Sequence, residues 1–221
     1  MTMITPWIAR VYERTLIVAF PTPYYVLSWA PLNGGLAEAC TILNHQVDIH
    51  TSSVLEPQVS LAALVQFLGV KDPTVGMMTG VSMERLVRTT LQVDAAMFEC
   101  FATVGLSNAL AVGDQATYSE RPGTINIIVA CNHPLTPPAL VEAVQIVTEA
   151  KVQALYAAQI KSTVSDTLAT GTGTDCVAVA CPPGAPPYQY CGKHTYLGEL
   201  LGRVVGQALR EGLRWAGIKG T

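Results

Sequence analysis

The sequence predicts a single α/β domain, a mixed β-sheet covered by helices, with an α+β arrangement as the neighbouring possibility. Three observations lead there. The longest apolar runs, residues 15–20, 125–131 and 176–181, have the length of strands. Strand-like segments follow one another directly in the first half, whereas strand–helix units dominate the second, a mixture that suits a mixed sheet better than a doubly wound one. Finally, half of the 221 residues are apolar and only 13% are charged. That composition fits either a membrane protein or a globule with a large interior. No run reaches the roughly 18 uncharged apolar residues that a spanning helix needs, which favours the globule.

Taken in order, residues 15–20 read as a strand, residues 21–23 as a turn carrying Pro21 and Pro23, and residues 24–30 as a second strand ending in Pro31-Leu32-Asn33-Gly34-Gly35. Residues 40–47 supply a third strand. Residues 60–68 are helix-like, with Leu61, Leu64, Val65 and Leu68 on one face. Residues 76–81 are short and apolar, and residues 83–91 fit helix or strand equally. Residues 96–104 form a strand leading into Gly105-Leu106-Ser107-Asn108. The β-branched run 124–130 is a strand ending in Cys131-Asn132-His133-Pro134. Thr136 then caps a helix that opens with Pro137 and places Leu140, Val144, Val147 and Lys151 on one face. Residues 162–173 are small and polar, 176–180 a strand, and 182–187 a proline-rich turn. Thr195 starts a long helix with Leu197, Leu201, Val204, Val205, Ala208 and Leu209 toward the core and Gly217 as its stop.

The domain is expected to span residues 15–221. Residues 1–14 are set apart as an N-terminal segment, the first five reading as a vector-derived leader. Arg10 and Arg14 precede an apolar stretch in the manner of a signal peptide. However, Glu13 lies between them and the prolines end the run before the typical hydrophobic length of about 7–15 residues. A cytoplasmic location is therefore expected. Net charge is −3, from 13 Lys and Arg against 16 Asp and Glu, without a basic block. Arg203, Arg210, Arg214 and Lys219 spread along the last helix as a solvated face, and nucleic acid is excluded as a main partner. The six cysteines, Cys40, Cys100, Cys131, Cys176, Cys181 and Cys191, form no Cys-x-x-Cys pair and read mostly as small hydrophobes. Cys131 and His133 have a spacing too nonspecific for a zinc site, so no metal ligand is assigned. A homo-oligomer is left open, with Trp215 as a candidate contact.

Five polar segments sit at the ends of the apolar strands and helices. Thr170-Gly171-Thr172-Gly173-Thr174-Asp175 packs three hydroxyls and a carboxylate around two glycines. It precedes a strand, whereas a phosphate loop precedes a helix, which weighs against nucleotide binding. Gly192-Lys193-His194-Thr195 places a potential acid–base histidine before a helix. Gly105-Leu106-Ser107-Asn108 with Gly113-Asp114, Gly123-Thr124-Ile125-Asn126, and Asn33-Gly34-Gly35 with Asn44-His45 are each ordinary turn chemistry alone. Five in one domain read better as loops converging on a polar ligand. Glu149 and Lys151, on the helix after residues 124–130, fit a solvated face, with Lys151 snorkelling from the core side. The signatures Gly-x-Ser-x-Gly, His-Glu-x-x-His and strand-borne Gly-x-Gly-x-x-Gly are missing from the sequence.

In their order, these segments resemble the adenosylcobinamide amidohydrolase family. The similar stretches are Leu27-Ser28-Trp29-Ala30-Pro31-Leu32-Asn33-Gly34-Gly35 with Asn44, Ala102-Thr103-Val104-Gly105-Leu106-Ser107-Asn108 with Gly113-Asp114, and Gly123-Thr124-Ile125-Asn126. They continue through Leu135-Thr136, Thr148-Glu149-Ala150-Lys151, the 170–175 segment, Gly192-Lys193-His194-Thr195 and Leu197-Gly198. The resemblance spans residues 28–206; residues 1–14 match nothing in it. It implies hydrolysis of the amide between the aminopropanol arm and the corrin ring of adenosylcobinamide, in corrinoid salvage. The implied partner is a small corrinoid whose cobalt belongs to the substrate, with no cofactor of the protein's own.

Roles follow from side-chain chemistry rather than from the family. Asp175 or His194 is expected to activate water and His194 to protonate the leaving amine, with Thr172, Thr174 and loop N–H groups holding the oxyanion. A threonine nucleophile in the loop is the rival mechanism. Asn33, Asn108 and Asn126 are expected to bind the peripheral amides of the corrin, and Gly34, Gly35, Asp114, Glu149, Lys193 and Thr195 to complete the substrate site. A corrinoid-binding protein without hydrolysis, or a hydrolase of a different amide, are the competing readings.

Overall fold

The computed structural model describes residues 5–48, 56–71, 73–116 and 123–218. The first four residues of the leader-like start and Lys219 lie outside them. The strands and helices are, in order, β1 (Ile8–Tyr12), β2 (Thr15–Ser28), β3 (Gly35–Gln46), α1 (Pro57–Leu68), β4 (Thr74–Thr79), β5 (Val87–Val93), β6 (Ala96–Val104), β7 (Ala109–Leu110), β8 (Ile125–Cys131), α2 (Pro137–Ala157), β9 (Gly171–Thr172), β10 (Cys176–Cys181) and α3 (Tyr196–Trp215). Among the described residues, eight strands form one open mixed sheet in the order β4-β3-β2-β10-β8-β6-β5, with β1 added to β2. The pairs β3–β4 and β8–β10 are parallel and the others antiparallel. This is the mixed, helix-covered sheet that the sequence predicts.

The two short strands expected at 15–20 and 24–30 are one long strand. Its register to β3 shifts between Ala19 and Tyr24, around Pro21 and Pro23. A bulge is where a strand tolerates residues that lack an N–H, and it bends the strand. The first half of β2 lies between β1 and β3 and its second half between β10 and β3. Strand β1 therefore fills the position beside β2 that the shorter β10 does not reach, so part of the segment set apart at residues 1–14 is woven into the sheet. Trp7, just before β1, is 2% exposed and donates its Nε1 hydrogen to Glu99 Oε2 at 2.5 Å. Glu99 is fully buried on β6 and also accepts from Arg88 Nε at 2.6 Å and Thr90 Oγ1 at 2.9 Å. The ambiguous 83–91 segment resolves into a 3-10 turn, Met83–Arg85, followed by β5.

Alternation along the strands divides the core in two. Ile125, Ile127 and Val129 of β8 point toward α2 and α3, which cover one face. Ile128 and Ala130 point to the other, where they pack with Phe20, Tyr24 and Val26 of β2, Ile42 of β3 and Phe101 of β6. Residues of β3 and β4 thus face those of β6 and β8 across this second face, so the sheet is curled. Thr136 caps α2 by accepting from the Ala139 N–H at 3.3 Å, and Thr195 caps α3 by accepting from Gly198 N–H at 3.0 Å. The six residues of the last helix expected in the core are all buried. Among the described residues, no helix is long and apolar enough to cross a membrane.

Trp7 → Phe keeps most of the apolar surface and removes the hydrogen bond to a buried carboxylate. It should lower the unfolding free energy by about 1–2 kcal/mol in urea denaturation. An unchanged midpoint would show that the Trp7–Glu99 contact does not anchor β1.

Candidate active site

The site is built where β8 and β10 begin. Cys176 faces the curled side of the sheet and Val177 the helices; Asp175, one residue earlier, comes out on the helix side. Lys151 meets it there. It lies one turn beyond Val147 on the sheet-facing side of α2, among Val147, Ala150 and Ala154, and is 6% exposed. Lys151 Nζ forms an ion pair with Asp175 Oδ2, and Thr172 Oγ1 donates to Asp175 Oδ1. The Ile125 backbone N–H donates to the same Oδ1 at 3.1 Å. The side chains of Lys151 and Asp175 are only 8% and 7% exposed. Either charge alone at this depth would carry a desolvation cost of several kcal/mol; the pair with its extra donors is compensated.

The glycines of the 170–175 segment owe their place to close approach. A Cβ on Gly171 would overlap Asp175 Oδ2 and lie 2.8 Å from Lys151 Nζ; one on Gly173 would lie 3.0 Å from the Asn108 amide nitrogen. The segment is tied to the 105–114 loop by pairing of β7 with β9 and by bonds from Gly173 N to Asn108 O at 3.2 Å and Thr170 N to Leu110 O at 2.9 Å. Thr124 Oγ1 donates to Thr174 O at 2.6 Å, and Thr174 Oγ1 to Gly123 O at 3.0 Å. Trp29 Nε1 donates to the Asp175 carbonyl at 2.6 Å. Above the cluster is an open cleft of about 770 Å³, with Lys151, Thr172 and Asp175 on its floor and Trp29, Val112 and Tyr156 among its walls.

Asp175 and Thr172 are thus brought together, with Asn108 buried behind them. Thr174 is turned toward Gly123 and does not line the cleft. Asn126 lies away from this cleft. It is 1% exposed on the curled side of the sheet, and its amide donates to Asn44 Oδ1 at 2.9 Å and to Met78 O at 2.7 Å, because even-numbered positions of β8 face away from the helices. His194 is exposed ahead of α3; among the described residues it neither lines this cleft nor bonds to any group in it. Lys193 forms an exposed pair with Glu149 at 2.6 Å, in a second groove of about 610 Å³ between α2 and α3. That pair and a bond from Gln145 hold the Glu149 carboxyl below its usual range. Thr195 is spent on its cap. Asn33, at φ 55°, donates to Thr74 O at 2.8 Å, and with Gly34 and Gly35 it makes the connection from β2 to β3. Asp114 accepts from Ser162 Oγ at 2.5 Å and Ala111 N at 2.8 Å, bonds that hold its carboxyl low and clip two loops together.

The sequence reading missed Lys151 and Trp29. The signal for the first was present: a lysine on the apolar stripe of a helix in a chain with few charges. Its pairing with Asp175, 24 residues away, had no local signature. The described residues hold no group of three or more His, Cys, Asp or Glu suited to a metal. Cys131 is fully buried, its thiol pushed well up by burial and by Cys181, and it donates to the His133 carbonyl at 3.3 Å.

The chain matches the model of a family described as adenosylcobinamide amidohydrolase over residues 5–218, a span that takes in β1. An uncharacterized protein of Methanocaldococcus jannaschii is 30% identical over 227 residues, covering 90% of this chain and 86% of its own length. An adenosylcobinamide amidohydrolase of Methanosarcina mazei is 29% identical over 195 residues, with coverage of 84% and 88%. Another, from Halobacterium salinarum, is 34% identical over 119 residues, with coverage of 51% and 48%.

Gly171 → Ala should push Lys151 away from Asp175 and lower stability by about 3 kcal/mol in urea denaturation. Gly192 → Ala, whose new Cβ would meet nothing closer than 3.6 Å, is the control and should change little. Equal effects would mean that the ion pair does not depend on the space at Gly171.

Proposed function

The chain belongs to the adenosylcobinamide amidohydrolase family, and from that premise we propose that it hydrolyses the amide joining the aminopropanol arm to the corrin ring of adenosylcobinamide. The products are adenosylcobyric acid and 1-aminopropan-2-ol, and the reaction returns a scavenged cobinamide to cobalamin synthesis. The observation that carries this reading is the Lys151–Asp175–Thr172 cluster on the floor of an open cleft. An amide needs a nucleophile, a group that takes and returns a proton, and positive charge or N–H groups near the developing oxyanion. The cluster offers a hydroxyl already donating to a carboxylate, beside a buried ammonium.

The geometry favours Thr172 as the nucleophile over a water activated directly by Asp175. Asp175 Oδ1 accepts from Thr172 and Ile125, Oδ2 is paired with Lys151, and the side chain is almost buried. In the proposed sequence, Thr172 Oγ1 attacks the amide carbonyl carbon and its proton passes to Asp175 Oδ1. The C–N bond breaks and that proton leaves with the amine, giving aminopropanol and an ester on Thr172. Water then attacks the ester, giving one proton to Asp175 that returns to the Thr172 oxygen as the acid departs. Lys151 keeps a positive charge beside each oxyanion. The cobalt is part of the substrate and takes no part in these steps.

Incubation of the purified protein with adenosylcobinamide, followed by mass analysis of the corrinoid, tests the reading. Adenosylcobyric acid should appear at the same rate with and without a chelator. Asp175 → Asn should lower kcat by about 10³-fold or more, whereas His194 → Ala should leave it close to wild type. An unchanged corrinoid from folded protein would overturn the substrate assignment. A fully active Asp175 → Asn protein would remove the carboxylate from the chemistry.

A further inference from the structure

We infer that Trp29 is the platform on which the apolar face of the corrin ring rests while the arm to be cut enters the cleft; this rests on the corrinoid reading above. Trp29 lies directly after β2 and is 47% exposed, whereas Trp7 is 2% exposed. An indole ring is a large apolar surface with one polar atom, and here that atom is taken. Its Nε1 hydrogen goes to the Asp175 carbonyl at 2.6 Å. The bond turns the polar edge inward and leaves ring surface to the cleft. It also makes the ring rigid before a ligand arrives, so little freedom is lost on binding. The backbone beside it is held as well, with the Ala30 N–H donating to Ser28 Oγ at 2.9 Å.

Two other exposed side chains with apolar surface belong to the same cleft: Val112 at 87% and Tyr156 at 44%. An apolar, partly aromatic rim over a floor of Lys151, Thr172 and Asp175 suits a ligand with an apolar ring face, polar amides at its periphery and the scissile amide on a short arm. Trp29 bonds to the backbone of the residue whose carboxylate holds Thr172. Ring docking and the scissile amide are therefore registered to one loop. A small free amide would use the floor and leave the rim uncovered.

Equilibrium dialysis in a Thr172 → Ala background, which keeps the Lys151–Asp175 pair and is expected to turn over about 10⁴-fold more slowly, reads binding. The ligands are adenosylcobinamide and aquocobinamide, and the added variants are Trp29 → Phe and Trp29 → Leu. Phe keeps a ring without the N–H and should hold Kd within about twofold, whereas Leu should raise Kd about tenfold for both corrinoids. In the otherwise wild-type enzyme, the Leu variant should show that loss in KM with kcat largely kept. Equal falls in kcat for both variants, with unchanged affinity, would reduce Trp29 to a prop for the Asp175 carbonyl and overturn the platform. A loss confined to adenosylcobinamide would transfer the contact to the adenosyl group and also overturn it. If the wild type turns over neither corrinoid but the Leu variant still binds both about tenfold more weakly, the platform stands and the hydrolytic reading falls. If the otherwise unmodified background protein binds neither, the platform falls too.

Discussion

The buried pair of Lys151 and Asp175 is the constraint around which the functional end of this fold is arranged. Two opposite charges sit where solvent barely reaches, and neither is tolerable without the other. Bringing a lysine of α2 against the residue just before β10 requires a backbone with no side chain between them, which is why residue 171 is glycine. The remaining acceptor capacity of the carboxylate draws in the Thr172 hydroxyl and the Ile125 N–H. The carbonyl of the same residue holds the indole of Trp29. One residue thus joins a helix, two strand ends and the loop after β2, and the proposed chemistry uses the hydroxyl that this arrangement leaves at the cleft.

Behind the cluster, the curled sheet supplies rigidity. Asn126, Asn44 and Thr103 form a chain of side-chain hydrogen bonds linking β8, β3 and β6 across the second face, with Met78 of β4 accepting from the same Asn126 amide. Such a network is stabilising only when its members are satisfied, and satisfied it fixes how far the sheet closes. The bend of β2 at its bulge permits that closure, and β1 fills the edge that the bend leaves beside β2. Glu99 then ties β1 to the far strands through Trp7. Polar side chains in the interior thus tie the strands of the curled sheet to one another.

Much of this was legible in the sequence because it is local. The β-branched run ending at Cys131, Thr136 with Pro137, and Thr195 before its apolar stripe announce β8, α2 and α3 through periodicity and caps. The 170–175 segment stood out through composition, and it does carry the cleft floor. What escaped the sequence was set by distant partners. Asn126 was grouped with the polar segments at strand ends, yet it lies within β8, where strand parity turns it into the core. His194 invited an acid–base role from its place before a helix, and that place is outside the cleft. Lys151 looked like a snorkelling residue because its carboxylate lies on another element. The prolines of β2 read as a turn because only the neighbouring strand shows that the ladder resumes beyond them.

The measurement that bears most directly on this account is turnover of adenosylcobinamide by Thr172 → Ala beside Thr172 → Ser, with folding verified for both. A threonine nucleophile predicts that Ala loses about 10⁴-fold or more in kcat while Ser keeps the hydroxyl and most of the activity. Turnover by Thr172 → Ala near the wild-type rate would contradict it, leaving Thr172 as a hydrogen-bond donor to Asp175 and water as the attacking group.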